Sequence, residues 1–435
     1  MAIEDCFILT KDDRKCIRRN FAEALIAKME GEMSSLKCLP SFLPRPSGNE
    51  SGDYLALDFG GSNVRAMMVR LAGGHADILR MKKMSLRRVD GSDYTSADTH
   101  AKDLFGAIAD LLLTVAPEGE RISLGHTFSF PAEQLSVQEA RLIKWTKEFG
   151  VQGVVGEEVN RLLGEAFARR GEGRVRPVAI INDTVGALLA CAYRQPNTTI
   201  GSICGTGHNT AAVFPDGMIY NLESGNFDGL PITEYDWELD HASLAPNEQR
   251  LEKMSAGHYL GKIVTLAAAD KLACFASGGE LTGEDLGMIL NDGGESHRTA
   301  DFIERRFGER ITQSDCAFLR RLTRAVVARS AQMVACTYLG IIDVIDPNHT
   351  DHHTIAVDGS LFGKMPMYAK EVERVLTEGL VGERAKADLV HAGDGSGIGA
   401  AVAAALALSK RDERRQDCRS FGESMVALYG SKGQP

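Results

Sequence analysis

Apolar side chains recur every fourth residue at Ile17, Phe21, Leu25 and Met29, behind the polar start Thr10-Lys11-Asp12-Asp13. This spacing predicts a capped amphipathic helix over residues 10–32. The next stretch, LPSFLPRPSGNESGDY, is rich in Pro, Gly and Ser and reads as a connector. From residue 54 to 71 an apolar run, a Gly-Gly turn and a second apolar run predict a β-hairpin. A helix from about 101 to 115 carries Leu104, Phe105, Ile108, Leu111, Leu112 and Val115 on one face, and RISLGHTFSFP and VRPVAIIN read as strands. Helical spacing returns in DTVGALLACAY, at Val185, Leu188, Leu189 and Ala192. TIGSICGTGHNTAAVF repeats the run, glycine turn and run of the first hairpin, so the two could be copies. HTIAVDGSLFG and KADLVHAGDGSGIGAAVAAALAL each read as strand, glycine turn and helix. Strands alternating with helices predict an α/β fold.

A chain of 435 residues, 44% hydrophobic, can bury a large core and points to two or three domains. Its formal charge of −10 argues against nucleic acid or an anionic membrane as the main partner, so an anionic ligand must be held locally. Nine scattered cysteines without a Cys-x-x-Cys pair suggest neither a zinc site nor a disulfide framework, and reduced thiols fit a cytoplasmic protein. The first residues lack the apolar core of a secretory signal, and no uninterrupted apolar run approaches the roughly 18 residues of a membrane span.

Glycine turns let backbone N–H groups approach phosphate oxygens, and this chain has four beside apolar segments. Turns in any α/β protein use glycine, so each alone is ambiguous. No Gly-x-x-x-x-Gly-Lys-Ser/Thr occurs. Gly395, Gly397 and Ala400 match Gly-x-Gly-x-x-Ala, but no clear strand follows their helix, which argues against a dinucleotide site. Asp58, at a strand end beside a glycine turn, is either a turn cap or a carboxylate facing Mg²⁺. Asp183 is either a helix N-cap or a ligand group at a strand end. His349, His352 and His353 read as a solvated loop. Trp145 reads as core, with Thr146 and Lys147 as donors beside an aromatic wall.

Taken together, several stretches resemble the hexokinase family, of the eukaryotic-type single-unit kind. LPSFLPRPSGNESGDYLALDFGGSNVR resembles its first phosphate motif, LGHTFSFPAEQ and WTKEF its sugar-binding segments, and INDTVGALLA its catalytic segment. CGTGHNTA resembles the second phosphate motif, NLESGNF and LEKMSAGHYLG the two glutamate segments, and VDGSLFGKMP and AGDGSGIGAAVAAAL the adenosine motifs. The resemblance implies two unequal α/β domains of the RNase H-like, actin-like ATPase type with a ligand cleft between them. The smaller would span residues 54–183 plus about 397–412, the larger 1–53 plus 184–396, with 413–435 unassigned.

It also implies the chemistry. Gly60, Gly61, Ser62, Asn63 and Arg65 would clasp the ATP phosphates, as would Gly205, Thr206 and Gly207, while Asp358, Gly359, Ser360, Gly395, Ser396 and Gly397 would hold the nucleotide. Asp58 would face Mg²⁺ through water. Ser129, Thr146, Lys147, Asn182, Asp183, Asn209, Glu223 and Glu252 would bind a hexose, a set in which carboxylates accept from hydroxyls and amides donate to them. Asp183 would be the base and Lys147 a further catalytic group. The implied activity is ATP-dependent phosphorylation of glucose or a related hexose at the 6-hydroxyl, the first step of glycolysis. The alternative is a catalytically silent sugar sensor. No nucleic-acid or membrane partner is expected, and the chain would act as a monomer or homodimer. Three positions depart from the family pattern: Ser62 stands for Thr, Ser224 for an aromatic, and Gly393 for Glu.

Overall fold

The computed structural model describes residues 2–87, 91, 93–146, 149–276, 278–293, 298–393 and 395–409. Its contacts divide the chain into a first-sheet unit, Pro40–Pro196 with the chain from Gly395 onward, and a second-sheet unit, Met1–Leu39 with Asn197–Asp394.

In the first-sheet unit the strands Gly52–Phe59 and Asn63–Ala72 form the hairpin expected around Gly60-Gly61, and His75–Ser85 continues it antiparallel. Ile122–Phe128 and Val175–Ile181 add in parallel on the other side, giving the order His75–Ser85, Asn63–Ala72, Gly52–Phe59, Ile122–Phe128, Val175–Ile181. Helix Ala101–Leu113 covers one face, burying Leu104, Phe105, Ile108 and Leu112, with helix Val159–Ala168 beside it. Helices Asp183–Arg194 and Gly395–Ser409 pack on each other so closely that a Cβ on Gly399 would lie 2.0 Å from Gly186 O. The stretch read as a connector contains a strand, Leu39–Pro44. Its prolines disguised it, but Pro40 and Pro44 lie near its ends, where proline is tolerated, and Ser41 and Leu43 are buried.

In the second-sheet unit the capping box expected at Thr10 forms with Asp13 and starts helix Lys11–Met29, which buries Ile17, Phe21 and Leu25 and leaves Met29 43% exposed at its end. The helix lies along Gln313–Ile345, and Arg18 Nε donates to Asp343 Oδ2 at 2.7 Å. That 33-residue helix is, among the described residues, the one long and apolar enough to cross a membrane, and 83% of its apolar window is buried inside the protein. Buried with it is a complete ion pair, Arg329 with Asp236, both nitrogen–oxygen distances 2.6 Å.

The second sheet has six strands, in the order Leu39–Pro44, Met218–Asn221, His208–Val213, Thr198–Cys204, His352–Asp358, Lys386–His391, antiparallel from Met218–Asn221 through Thr198–Cys204 and parallel from Thr198–Cys204 through Lys386–His391. With the edge strand Leu39–Pro44 set aside and the rest numbered along the chain within each sheet, both have the order third, second, first, fourth, fifth, with the same strand directions. The repeat suggested by two glycine hairpins therefore extends to five strands of each sheet.

The unit boundaries differ from those the resemblance implied. By contacts, residues 40–53 and 184–196 fall in the first-sheet unit, although the strand Leu39–Pro44 is an edge strand of the second sheet. Tyr193 Oη donates to Glu50 O at 2.7 Å, and Gly186 lies against Thr127 and Ser396, so both segments are tied to the first sheet's packing. Residues 413–435 lie outside the described residues.

Candidate active site

In the first-sheet unit, three parallel strands end at the same side, at Phe59, Phe128 and Ile181, where sheets of this class place ligand groups. Register decides what stands there. Asp58 pairs directly across the hairpin with Arg65, whose Nε and Nη2 donate to Asp58 Oδ2 at 2.8 and 2.6 Å. The other oxygen, Oδ1, accepts from Thr127 Oγ1 at 3.1 Å, and that hydroxyl also reaches Leu57 O. Asp58 is thus neither a turn cap nor an open carboxylate: both oxygens are engaged. The turn itself is held by Gly60 N donating to Asn63 O and Leu86 N to Ser62 O; Gly61 is half-buried and Ser62 exposed.

Arg65 Nη2 also lies 3.3 Å from Ser396 Oγ, in the first turn of the helix that Gly395, Ser396 and Gly397 open. A Cβ on Gly186 would stand 2.9 Å from Thr127 Cγ2 and 3.1 Å from Ser396 Cα, so helix Asp183–Arg194 starts against the same cluster. Its cap is Asn182, whose Oδ1 accepts from Thr184 N and Oγ1, while Asp183 is the first helical residue, its Oδ1 accepting from Thr184 N at 2.9 Å. The N-cap role weighed for Asp183 belongs to its neighbour, and both residues are half-buried.

Ser129 N donates to Phe59 O and carries the strand pairing one residue further. Thr146 O accepts from Phe149 N, and the wall beside it is Trp145, 4.8 Å from Phe130 and 5.0 Å from Phe149 between ring centroids, with Nε1 donating to Val151 O. Lys147 lies outside the described residues.

In the second-sheet unit the turn Gly205-Thr206-Gly207 closes with Gly205 N donating to Gly207 O at 3.0 Å, and Gly257 N and His258 N donate to Gly205 O and Thr206 O. Gly359 stands beside it with φ +118°, where an added Cβ would come within 2.4 Å of Cys204 O, so only glycine fits. Asp358 Oδ1 accepts from Gly359 N, and Ser360 opens a short helix, exposed.

The carboxylates meet the same turn. Glu252, in helix Arg250–Ser255, accepts through Oε2 from His208 N at 3.0 Å, just past the glycines. Asn209 Oδ1 accepts from Thr210 N and Ser224 N, and its Nδ2 donates to Asn221 Oδ1; Asn221 Nδ2 in turn donates to Glu223 Oε1 at 2.8 Å. Glu223 sits at φ +52°, a left-handed kink that turns the chain out of the strand. Ser224, where the family has an aromatic, is fully buried and supports Asn209 through its backbone N–H.

The histidines read as a solvated loop are dispersed onto separate carboxylates. His349 pairs with Asp343 and His352 with Asp388, while His353, 2% exposed, sits between Asp346 and Thr199 inside the strand His352–Asp358. Reading from residue types alone missed Thr127 and Asn221. Both lie inside or beside quoted motifs, TFSFP and NLESGNF, and that position was the signal available.

Sequence models of the hexokinase family match residues 1–193 and 199–406. Hexokinase-1 of Saccharomyces cerevisiae is 32% identical over 97% of this chain and 93% of its own length. The chain belongs to the hexokinase family. Mouse Hexokinase-3 is also 32% identical, over 92% of this chain, and the chain spans 46% of that relative's length. Among solved structures, the hexokinase from Schistosoma mansoni complexed with glucose is 27% identical with a TM-score of 0.76, covering 93% of this chain and 97% of that one. Both sheets described above are therefore those of the hexokinase fold, and the hairpin turns, the Asn182-Asp183 junction and the Asn209, Glu223 and Glu252 cluster lie in a hexokinase framework.

Proposed function

We propose that this chain is an ATP-dependent hexokinase that transfers the γ-phosphoryl group to the 6-hydroxyl of glucose or a related hexose. The observation that carries this is the single cluster in the first-sheet unit. There the hairpin pair Asp58–Arg65, Thr127, Ser396 and the start of the helix at Asp183 are contiguous. A phosphate hairpin touching a nucleotide residue and a carboxylate-bearing helix start is what transfer to an alcohol needs, since most of that catalysis is positioning and charge stabilisation.

Asp183 accepts the 6-hydroxyl proton. An aspartate carboxylate, with an ordinary pKa of about 3.9, cannot ionise a free alcohol, so the proton moves late, as phosphoryl transfer makes the hydroxyl acidic. Ser129, Thr146, Lys147, Asn182, Asn209, Glu223 and Glu252 bind the sugar hydroxyls. Such a set rejects ligands lacking them, because its own polar groups would be left unpaired. The residues fit Mg²⁺ in one way: both Asp58 oxygens are hydrogen-bonded, so this carboxylate would hold the ion through water, beside the phosphates. Bound there, the ion neutralises phosphate charge. The eight described cysteines are all free thiols, which supports a reducing, cytoplasmic setting, with small-molecule substrates and a monomer or homodimer as the working form.

The test is ADP release from Mg-ATP with a panel of hexoses, run beside Asp183→Ala. Sugar-dependent turnover should fall about 10²- to 10⁴-fold in the variant. Wild-type hexose binding without turnover would replace the enzyme reading with a sugar sensor.

A further inference from the structure

Asn209 stands on the strand His208–Val213 and Glu223 just past the end of the neighbouring strand Met218–Asn221, and one buried side chain joins them. Asn221 lies opposite Ala211 in the antiparallel pair, which puts it on the same sheet face as Asn209, two residues along. The amide directions are forced. Asn209 Oδ1 takes two backbone N–H groups, from Thr210 at 2.7 Å and Ser224 at 3.1 Å, so its Nδ2 must point at Asn221 Oδ1, 2.8 Å away. Asn221 then has only its Nδ2 to offer Glu223 Oε1, also at 2.8 Å. Asn221 is 7% exposed, and a buried amide satisfied on both ends holds both neighbours in one orientation.

We propose that Asn221 is a positioning residue that presents the Glu223 carboxylate and the Asn209 amide to the hexose as one rigid pair; this rests on the hexokinase reading of the site. The bond to Glu223 is charge-assisted, and it orients the carboxylate of a residue that stands at the left-handed kink between the strand Met218–Asn221 and the turn Ser224–Asn226.

Two variants separate positioning from filling space. Asn221→Asp is isosteric but sets a second carboxylate against Glu223, whereas Asn221→Ala removes the donor. Positioning predicts that both raise the KM for glucose about 10- to 100-fold, with Asp at least as damaging as Ala, while the KM for ATP stays within about twofold and melting shows a folded protein. In a Glu223→Ala background, Asn221→Ala should add less than its effect in the wild type, because part of its action is already gone. Asn221→Asp behaving like wild type, or effects that multiply in the double variant, would overturn the inference while leaving the kinase intact. A wild type that neither binds nor phosphorylates a hexose would overturn both.

Discussion

Gly207→Ala should weaken hexose binding and leave the fold alone. Gly207 has no positive φ, so alanine meets no backbone penalty there. Its added Cβ, however, would lie 2.8 Å from Glu252 Oε2, several tenths of an ångström inside van der Waals contact. The atom displaced is the tip of a flexible side chain, so the carboxylate moves and the chain does not. Moving it breaks the 3.0 Å charge-assisted bond from His208 N, a small loss of stability beside that of Gly359→Ala. It also displaces a carboxylate assigned to the sugar, whose lost hydrogen bond to a hydroxyl would cost about 1.5–3 kcal/mol of binding, or about 10- to 150-fold in affinity. Calorimetric titration with glucose in the absence of nucleotide reads this directly and keeps phosphate contacts out of the result. Gly359→Ala is the contrast. There the Cβ would stand 2.4 Å from Cys204 O and 2.8 Å from Gly205 N, both backbone atoms, at φ +118°. Nothing flexible can yield, and the loss should be in stability, about 2–4 kcal/mol. A Gly207→Ala protein that binds glucose like wild type, or that melts as early as Gly359→Ala, would refute the reasoning.

Two further outcomes follow from buried charge. Arg329→Met should destabilise by about 3–5 kcal/mol, read as a lower denaturant midpoint, because it strands Asp236 at 2% exposure without its partner; the double variant with Asp236→Leu should recover much of the loss. Acid should destabilise well above the carboxylate range. His126 and His208 are fully buried, and burial holds each pKa down to about 4, below the ordinary 6.5. Between those values the unfolded chain binds protons the folded chain refuses, so stability falls as pH drops from 6.5 toward 4, by about 1.4 kcal/mol per pH unit per histidine. Equal urea midpoints at pH 7 and pH 5 would contradict this.

What the sequence disclosed and what it hid have physical causes. Thr10 with Asp13, the four-residue spacing behind them and the apolar runs flanking glycine turns act locally, and each gave its element at the expected place. His75–Ser85 gave no signal because a strand exposed along nearly all its length has no alternation to display, and a bulge opposite Met68 and Val69 breaks its phase. Leu39–Pro44 was masked by its prolines. In the site, residue types were legible and partners were not. Asp58 could be picked out as a carboxylate beside a phosphate turn, but its pairing with Arg65 depends on the turn fixing the register. Asn221 was marked only by its place in NLESGNF, and its role exists only once Ala211 stands opposite it.

The repeated sheet sharpens that distinction. At the first hairpin the pair next inside the turn is Asp58 with Arg65, and at the second the corresponding pair, one step in from Cys204 and His208, is Ile203 with Asn209. The same strand order thus carries an ion pair in one unit and an apolar–amide pair in the other. Sheet order is held by apolar faces and glycine turns, which tolerate any polar residue at the strand end provided its hydrogen bonds are met. Each copy was therefore free to diverge where its strands stop: one sheet end holds Asp58, Arg65 and Asp183, and the other holds Asn209, Glu223 and Glu252. A hairpin repeat in a sequence accordingly predicts scaffold, and the side chains one or two residues from the glycines must be read separately in each copy.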